Sequence, residues 1–314
     1  MPPTSPRRCC VFGAAGWTGR AVVAELLGTG TAVTAFDIGA QAWDGWAAVD
    51  GPPPPGAELR YGDIADYNTV RDAIRGCDSV VHTTVATTGD APTSSRNLYQ
   101  ASAEEDATWL VNMKGLFNVL QASQLEESIK QVIHIGSCHS VWPGSIATGE
   151  GKGERFMDAA TRRPDGGLYA TQKRLQEEMC RQFHDAHALP VAVFRPDYIV
   201  DSRLGIGRHR EDLHVKAAGG DSGGGGGEAS SSGLPEQQQQ ARLLDPSWVC
   251  RHDIAKACRL AIEKEIGFEI LHVVDSSQGQ AEMCNVGRTE RLLGMTFSSV
   301  LLASSSSSTT EAKL

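Results

Sequence analysis

The sequence contains no long apolar run and few aromatic residues. No apolar stretch approaches the roughly 20 residues that a membrane-spanning helix needs, and aromatic residues make up 6% of the 314 residues. The first predicted strand starts at Cys9, which leaves no room before it for the apolar core of a secretory signal. These absences predict a cytoplasmic protein with no membrane partner.

Positive charge is also scarce. The chain has 29 Lys and Arg residues against 38 Asp and Glu, a net charge of -9, and the short pair Arg7-Arg8 is its most basic feature. Nucleic-acid-binding surfaces need clustered positive charge, so we predict no nucleic-acid partner. The 40% hydrophobic content is that of an ordinary globular protein.

The eight cysteines include no Cys-x-x-Cys pair and no spacing typical of a zinc site. We therefore predict no metal site and interpret the cysteines as reduced structural thiols. Cys138 alone lies near the predicted chemistry.

Strand-like and helix-like segments alternate along the chain, which predicts an α/β protein with a Rossmann-type, doubly wound parallel sheet and a small C-terminal substrate lobe. We expect residues 1–200 to form the larger domain, which contains a glycine-rich motif and a Tyr-x-x-x-Lys motif. Residues 201–303 would form the substrate-side lobe and closing elements, and contain a low-complexity insert, 217–242, that is predicted to be disordered. The serine-rich tail, 304–314, is predicted to be disordered as well. The predicted strands are Cys9–Phe12, Ala32–Phe36, one closing at Tyr61, Ser79–His82, Gln131–Ile135, Val191–Phe194 and Glu269–Val274, and the predicted helices are Arg20–Leu27, Tyr67–Arg75, Glu104–Leu125, Tyr169–His184, Trp248–Glu263 (with its approach) and Asn285–Leu293.

A glycine-rich motif follows the first strand and opens the first helix. Glycines at this point let backbone N–H groups approach a pyrophosphate at the positive end of the helix. Asp37 ends the next strand, where its carboxylate would bind the adenosine ribose and repel a 2′-phosphate, which favours NAD over NADP. Residues 1–200 are therefore predicted to be the NAD-binding domain, and they also contain the candidate catalytic residues. After the third strand, Asp63 is placed to reach the adenine, although an ordinary turn aspartate is an equal alternative. The motif is Gly13-Ala-Ala-Gly16-Trp17-Thr18-Gly19.

Tyr169 and Lys173 stand four residues apart and so share one face of a helix. The lysine charge favours the phenolate, which would bring the tyrosine pKa toward working pH. Ser137 ends the fifth strand, at the edge of the sheet where such folds bind ligands. Asn112 could hold a water relay, or be an ordinary polar helix residue.

In their order, these motifs resemble those of the extended short-chain dehydrogenases/reductases, the NAD-dependent epimerase/dehydratase family. The resemblance implies that Ser137, Tyr169 and Lys173 are catalytic and that Lys173 also holds the nicotinamide ribose. It implies a homodimer paired through the helices that carry Asn112 and Tyr169. The motifs are Gly13 to Gly19, Gly62-Asp63-Ile64, His82-Thr-Thr-Val-Ala86, Asn112-Met-Lys-Gly115, Ile135-Gly-Ser137, Tyr169-x-x-x-Lys173, Phe194-Arg195-Pro196 and His252-Asp253-Ile254-Ala255, and they also assign Ile64 and His82 to the cofactor site.

Within the family, the chain is most similar to uronate dehydrogenase-like members. That similarity implies substrate contacts from Thr87, His139 and Arg195. Gly136 and Cys138 depart from the pattern, which has serine and asparagine at these positions, and Gln172 stands where a serine usually precedes the lysine.

The leading hypothesis is reversible hydride transfer between NAD and a hydroxyl or carbonyl of a small sugar, sugar acid or related polyhydroxy compound. One alternative is a nucleotide-sugar epimerase or dehydratase, and another is a non-catalytic NAD-binding sensor. The final Ala312-Lys313-Leu314 resembles a peroxisomal address, so the peroxisome is the alternative location.

Overall fold

The computed structural model describes residues 7–86, 105–140, 168–204, 206–207, 248–274 and 284–297. The insert at 217–242, the tail and Thr87 lie outside these residues. No helix in the described ranges combines the length and the apolarity needed to cross a bilayer.

Seven parallel strands form the main sheet, in the order β10-β6-β5-β4-β1-β2-β3. This arrangement confirms the predicted Rossmann-type α/β fold. The strands are β1 (Arg8–Phe12), β2 (Ala32–Asp37), β3 (Ala57–Tyr61), β4 (Ser79–His82), β5 (Gln131–Ile135), β6 (Val191–Pro196) and β10 (Glu269–Val273).

Helices cover both faces of this sheet because its central strands are apolar on both sides. One face packs against α1, α7 and α8, and the other against α3, α5 and α6. The helices are α1 (Trp17–Gly28), α2 (Ala47–Asp50), α3 (Tyr67–Ile74), α4 (Glu105–Trp109), α5 (Gly115–Leu125), α6 (Leu168–His187), α7 (Arg251–Lys264) and α8 (Val286–Leu293).

The helix predicted over 104–125 is interrupted. A π-helical turn, Leu110–Lys114, separates α4 from α5, and such turns occur often at functional sites. The interruption places Asn112 in the π-helical turn.

A small second sheet forms where the sequence predicted the approach to a helix. Trp248–Cys250 is a strand, β9, which lies parallel to β7 (Tyr198–Asp201), and β7 also pairs antiparallel with β8 (Ile206–Gly207). Part of the predicted substrate-side segment, residues 201–303, belongs to the main sheet, because its strand β10 pairs with β6.

The strand order reverses between β1 and β4, since β1 lies between β2 and β4. In open α/β sheets, ligands bind at such a switch point, outside the carboxyl ends of the strands. The loops after β1, β4 and β5 therefore meet where a dinucleotide site is expected.

Candidate active site

The glycine motif makes a tight turn between β1 and α1. Gly13 has a φ of +76°, and its N–H donates to the Phe36 carbonyl at 3.0 Å. A Cβ on Gly19 would lie 2.0 Å from the Gly13 carbonyl oxygen, so glycine is required there for the helix to approach the turn. Gly16 is the N-cap of α1 and supplies no side-chain cap, which leaves the helix N-terminus suited to an anion.

Asp37 lies at the end of β2, directly beside this turn. Its carboxylate accepts from the Ala15 N–H and the Ile38 N–H, both at 2.8 Å. The half-buried side chain thus orients the glycine turn while lying at the position predicted for the ribose contact.

Asp63 and Ile64 follow β3 in different environments. The Asp63 carboxylate is exposed and accepts from the Ala65 N–H at 2.8 Å, as in an Asx turn. Ile64 is buried and packs against Gly115, where a Cβ would lie 2.7 Å from its Cγ2. Locally, Asp63 thus has the geometry of an ordinary turn aspartate, which is the alternative that the sequence left open.

Trp17 and Thr18 are buried in the first turn of α1. The Trp17 indole donates from Nε1 to the Ile199 carbonyl at 3.2 Å, and the Arg251 guanidinium stacks 3.9 Å from its ring centroid. The Trp17 ring therefore joins the turn to the second sheet.

His82 is fully buried and pairs with His134 of the adjacent strand, with 3.0 Å between their Nδ1 atoms. Burial and, to a smaller extent, the nearby Lys173 charge lower the pKa of His82 to about 3. The same causes hold the pKa of His134 well below its usual range. The structure places His82 beneath the site, as a neutral ring.

Asn112 uses its side-chain amide to hold the chain after β4. Its Oδ1 accepts from the Ala86 N–H at 2.8 Å, and its Nδ2 donates to the Ala86 carbonyl and to Gln172 Oε1, each at 2.9 Å. Both amide protons are therefore used within the protein. The Asn112 carbonyl accepts from Gln176 Nε2 at 2.7 Å.

Tyr169 and Lys173 lie one turn apart at the start of α6. The Lys173 ammonium lies 5.8 Å from the centroid of the Tyr169 ring and donates to the Ile135 carbonyl at 3.1 Å. Since Ile135 ends β5 two residues before the buried Ser137, Lys173 joins the tyrosine helix to the serine strand. The three predicted catalytic residues thus belong to elements that one hydrogen bond ties together.

Arg195 lies behind this site, fully buried, rather than on an open surface. Its guanidinium contacts both carboxylate oxygens of Glu177, with distances of 2.5 and 2.8 Å. The one hydroxyl proton of Ser140 has two acceptors within reach, the Ser137 carbonyl at 2.9 Å and the same carboxylate at 3.3 Å. Arg195, predicted to contact substrate, here supports the turn that carries Ser137.

The departures from the family pattern have local causes. A Cβ on Gly136 would lie 2.9 Å from Val193 Cγ1, so the close approach of β5 and β6 leaves no space for a side chain. The Cys138 thiol donates to the Arg195 carbonyl at 3.1 Å. Gln172 binds Asn112 and donates to Thr108 Oγ1 at 3.2 Å, which joins α6 to α4 and the π-helical turn.

Two predicted substrate contacts stay predictions. Thr87 lies outside the described residues, and His139 lies in the 3₁₀ turn Cys138–Ser140, where its side chain is not described.

Sequence reasoning missed the partners that come from distant segments. Glu177 and His134 carry no motif signal, and both become visible only when α6 and β5 are placed in space. A second missed group surrounds Arg251, which pairs with Asp50 and Asp201 and is fully buried. Its one sequence signal is an arginine directly before the His252 motif.

The described residues fit a dinucleotide. The uncapped N-terminus of α1 suits a pyrophosphate, and the carboxylate at the end of β2 suits a ribose. Lys173 is positioned at the carboxyl edge of β5, where the nicotinamide end would lie.

One relative matches the chain over part of its length. A protein from Sinorhizobium fredii described as uncharacterized protein y4nG is 27% identical over 203 residues, which cover 63% of this chain and 41% of that protein. The chain thus matches less than half of that relative's length.

Among solved structures, uronate dehydrogenase from Agrobacterium tumefaciens is 18% identical with a TM-score of 0.61, covering 92% of this chain and 84% of that one. UDP-glucose 4-epimerase from Brucella ovis, solved with NAD, is 18% identical with a TM-score of 0.58, covering 85% and 76%. At this identity the two structures support the fold.

A sequence model of the NAD dependent epimerase/dehydratase family matches residues 9–203, more than half of the chain. The match spans the glycine turn, Asp37, and the segment from Ser137 to Lys173. It also confirms NAD as the cofactor predicted from Asp37, since the family is defined by its dependence on NAD. The chain therefore belongs to the NAD-dependent epimerase/dehydratase family.

Proposed function

We propose that the protein is an NAD-dependent dehydrogenase that acts on a hydroxyl or carbonyl group of a small sugar, sugar acid or related polyhydroxy compound. The observation that carries this proposal is the hydrogen bond from Lys173 Nζ to the Ile135 carbonyl. It fixes the helix of Tyr169 against the strand of Ser137, at the sheet edge that also carries the glycine turn.

The mechanism assigns one role to each of the three side chains. Tyr169 takes the proton of the substrate hydroxyl, and the adjacent ammonium of Lys173 stabilises the phenolate. The Ser137 hydroxyl hydrogen-bonds the same substrate oxygen and stabilises it as the carbonyl develops. NAD supplies the hydride acceptor when it is bound.

Other buried residues position these groups. Asn112 holds the backbone of Ala86 and Gln172, so we assign it a positioning role in place of a water relay. Arg195 and Glu177 hold the turn of Ser137 in the same way.

The overall likeness to uronate dehydrogenase, with which the chain aligns over most of its length, supports the proposed substrate class. The likeness to UDP-glucose 4-epimerase supports a second candidate, an epimerase that reoxidises its cofactor within each cycle.

An absorbance assay at the NADH band separates the dehydrogenase from the epimerase, because a dehydrogenase accumulates NADH with free sugar acids and an epimerase does not. A screen of uronates, aldoses and polyols is the assay of choice.

Replacing the tyrosine hydroxyl tests the catalytic assignment. Tyr169→Phe removes the proton acceptor and should lower kcat by about 100-fold or more. Its affinity for NAD, measured by calorimetry, should stay close to wild type, because the phenyl ring and Lys173 remain.

The matched control is Tyr67→Phe in α3, which removes a hydroxyl that has no role in the proposed mechanism and should keep full activity. Full turnover in Tyr169→Phe would contradict the mechanism.

We also propose a homodimer paired through α5 and α6. Three large apolar side chains of this region are exposed, with exposed fractions of 50% for Leu110, 45% for Phe117 and 41% for Leu175. Phe117 and Phe183 make an edge contact at 5.6 Å that joins the two helices into one surface. A second copy would bury this surface.

Sedimentation measures that association directly. Phe117→Asp places a charge in the proposed interface and should shift a dimer to monomer. Leu204→Asp, at an equally exposed position after β7, should leave the dimer intact. A wild-type chain that sediments as a monomer would exclude the dimer.

A further inference from the structure

Two thiols and an imidazole meet in the interior, beside the turn that carries Ser137. Cys138 follows β5, His272 lies in β10, and Cys284 lies just before α8. All three are buried, and Cys138 Sγ, Cys284 Sγ and one imidazole nitrogen lie within 4.8 Å of one another. The mechanism above uses none of these side chains.

Arg195 determines where the imidazole proton lies. Its Nη1 is 3.4 Å from His272 Nε2, and a guanidinium can only donate, so Nε2 is the acceptor. The ring therefore carries its proton on Nδ1, which faces the sulfur atoms and lies 3.8 Å from Cys138 Sγ. Glu177 holds the guanidinium in place through two hydrogen bonds.

The two sulfur atoms consequently differ. The Cys138 thiol keeps its one proton, for which the Arg195 carbonyl, at 3.1 Å, and the Cys284 sulfur are alternative acceptors. Cys284 receives hydrogen bonds from Cys138 and His272, which lower the pKa of its thiol. The hydrogen bond with Cys284, together with burial, raises the pKa of the Cys138 thiol.

This pairing sets Cys284 apart from the other buried cysteines of the described region that have shifted pKa values. Burial raises the pKa of Cys9, Cys180 and Cys258, as expected for thiols in apolar surroundings. Thiolates, not thiols, react with oxidants. Because the Arg195 carbonyl can only accept, its 3.1 Å contact favours the proton on Cys138. Cys284, which has no such acceptor among the contacts described and faces the His272 ring, is therefore the nucleophile of the cluster.

We propose that Cys138 and Cys284 form a redox-active pair that hydrogen peroxide or another small hydroperoxide oxidises to a disulfide. The Cys284 thiolate attacks the peroxide, its O–O bond breaks, and Cys284 becomes a sulfenic acid while hydroxide leaves. Cys138 then attacks the Cys284 sulfur, the S–O bond breaks, and the proton of Cys138 leaves with the oxygen as water. The two thiols lose two electrons and the peroxide gains them.

A metal ion on the same three donors is the competing occupant. Two thiolates and an imidazole are ligands that zinc accepts. Coordination by Nδ1 would move the imidazole proton to Nε2, where it would face the Nη1 protons of Arg195. The observed contact between Arg195 and His272 therefore favours the thiol pair.

Oxidation would also change the turn next to Ser137. A Cys138 sulfur joined to Cys284 has no proton and loses its hydrogen bond to the Arg195 carbonyl. We expect a reversible loss of turnover, and this consequence alone rests on the proposed role of Ser137. The disulfide itself is measured without any assay of activity.

The experiment treats the full-length protein with hydrogen peroxide, blocks remaining thiols and maps its peptides without reduction. We expect one linked pair of peptides, containing Cys138 and Cys284, that dithiothreitol separates. A linkage between other cysteines, or none under conditions that oxidise free thiol controls, would overturn the proposal. Because this map uses the wild-type chain, it holds even where a variant fails to fold.

Matched variants assign the two sulfur atoms. Cys284→Ser should slow the oxidation of Cys138 by about tenfold or more, because the thiolate is gone. Cys138→Ser should stop at a sulfenic acid on Cys284 that dimedone traps, and Cys258→Ser should behave as wild type. Stoichiometric zinc in the purified protein that Cys284→Ser abolishes would contradict the redox pair and establish a metal site.

Discussion

At the scale of single residues, the paired histidines below Lys173 show how the site controls charge. His82 and His134 lie opposite each other in β4 and β5, and both rings are fully buried. Their Nε2 atoms have no hydrogen-bond partner among the described residues. Protonating either ring would place a second positive charge near the ammonium of Lys173. Two neutral rings are thus compatible with a buried lysine that the proposed mechanism requires to stay charged.

The pair should make the fold sensitive to acid. In the unfolded chain a histidine binds a proton below about pH 6.5, whereas burial and Lys173 lower the pKa of His82 in the folded state to about 3. The unfolded state then binds more protons, so the free energy of unfolding falls as pH drops from about 6.5 toward 3. Denaturant unfolding at pH 7.5 and pH 5 measures this loss.

A double variant, His82→Leu with His134→Leu, should flatten that slope. Replacing both partners with apolar groups is close to neutral for stability, so unfolding at pH 7.5 should change little. His184→Gln, at a half-exposed histidine bonded to the Leu189 carbonyl, should keep the wild-type slope. An unchanged slope in the double variant would show that other groups take up the protons.

At the scale of elements, helix α1 contains two glycines with opposite requirements. A Cβ on Gly19 would meet the Gly13 carbonyl oxygen at 2.0 Å, whereas a Cβ on Gly28 would meet nothing within 4 Å. Gly19→Ala must displace either the helix or the glycine turn. We expect it to lower the free energy of unfolding by about 1–3 kcal/mol and to weaken NAD binding.

Gly28→Ala is the matched control in the same helix. Alanine is favoured over glycine in helices by up to about 1 kcal/mol, so this variant should be as stable as wild type or slightly more stable. Melting temperatures and NAD titrations on both proteins make the comparison. Equal behaviour of the two variants would mean that the turn tolerates a shift of α1.

The same elements show what can be predicted from the sequence. Strand and helix alternation identified the sheet, and the position of Asp37 after the second strand identified NAD, because both depend on local periodicity and chain order. The break at Leu110–Lys114 was missed since a π-helical turn leaves the helical pattern of apolar residues almost intact. The strand Trp248–Cys250 was missed because its partner, β7, lies about 50 residues earlier.

At the scale of the whole molecule, one buried arginine joins the two sheets. Arg251 donates to Asp201 at the end of β7, to Asp50 at the end of α2, and to the carbonyl of Trp17 at the start of α1. Its guanidinium also stacks on the Trp17 ring. The second sheet is thereby fixed against the helix that opens the dinucleotide site. Sequence reasoning could not find this group because its members lie in four separate segments.

Breaking the ion pairs of Arg251 should destabilise the protein and weaken NAD binding. Burial alone raises the pKa of Asp201, but hydrogen bonds from His252, Arg203 and Arg251 outweigh it and hold the pKa well below its usual range. The ionised carboxylate thus contributes stability above about pH 4, and that stability is lost as pH falls.

At pH 7, Asp201→Asn leaves a buried guanidinium short of one negative partner, so we expect a loss of about 3–5 kcal/mol in the free energy of unfolding. Asp72→Asn, which breaks a surface pair with Arg75, should cost less than about 1 kcal/mol. Because Arg251 also holds Trp17, Asp201→Asn should weaken NAD binding as well, and the surface variant should not. Equal unfolding of the two variants would show that the buried group contributes no more stability than the surface pair, and equal NAD affinity would show that it does not couple the second sheet to the cofactor site.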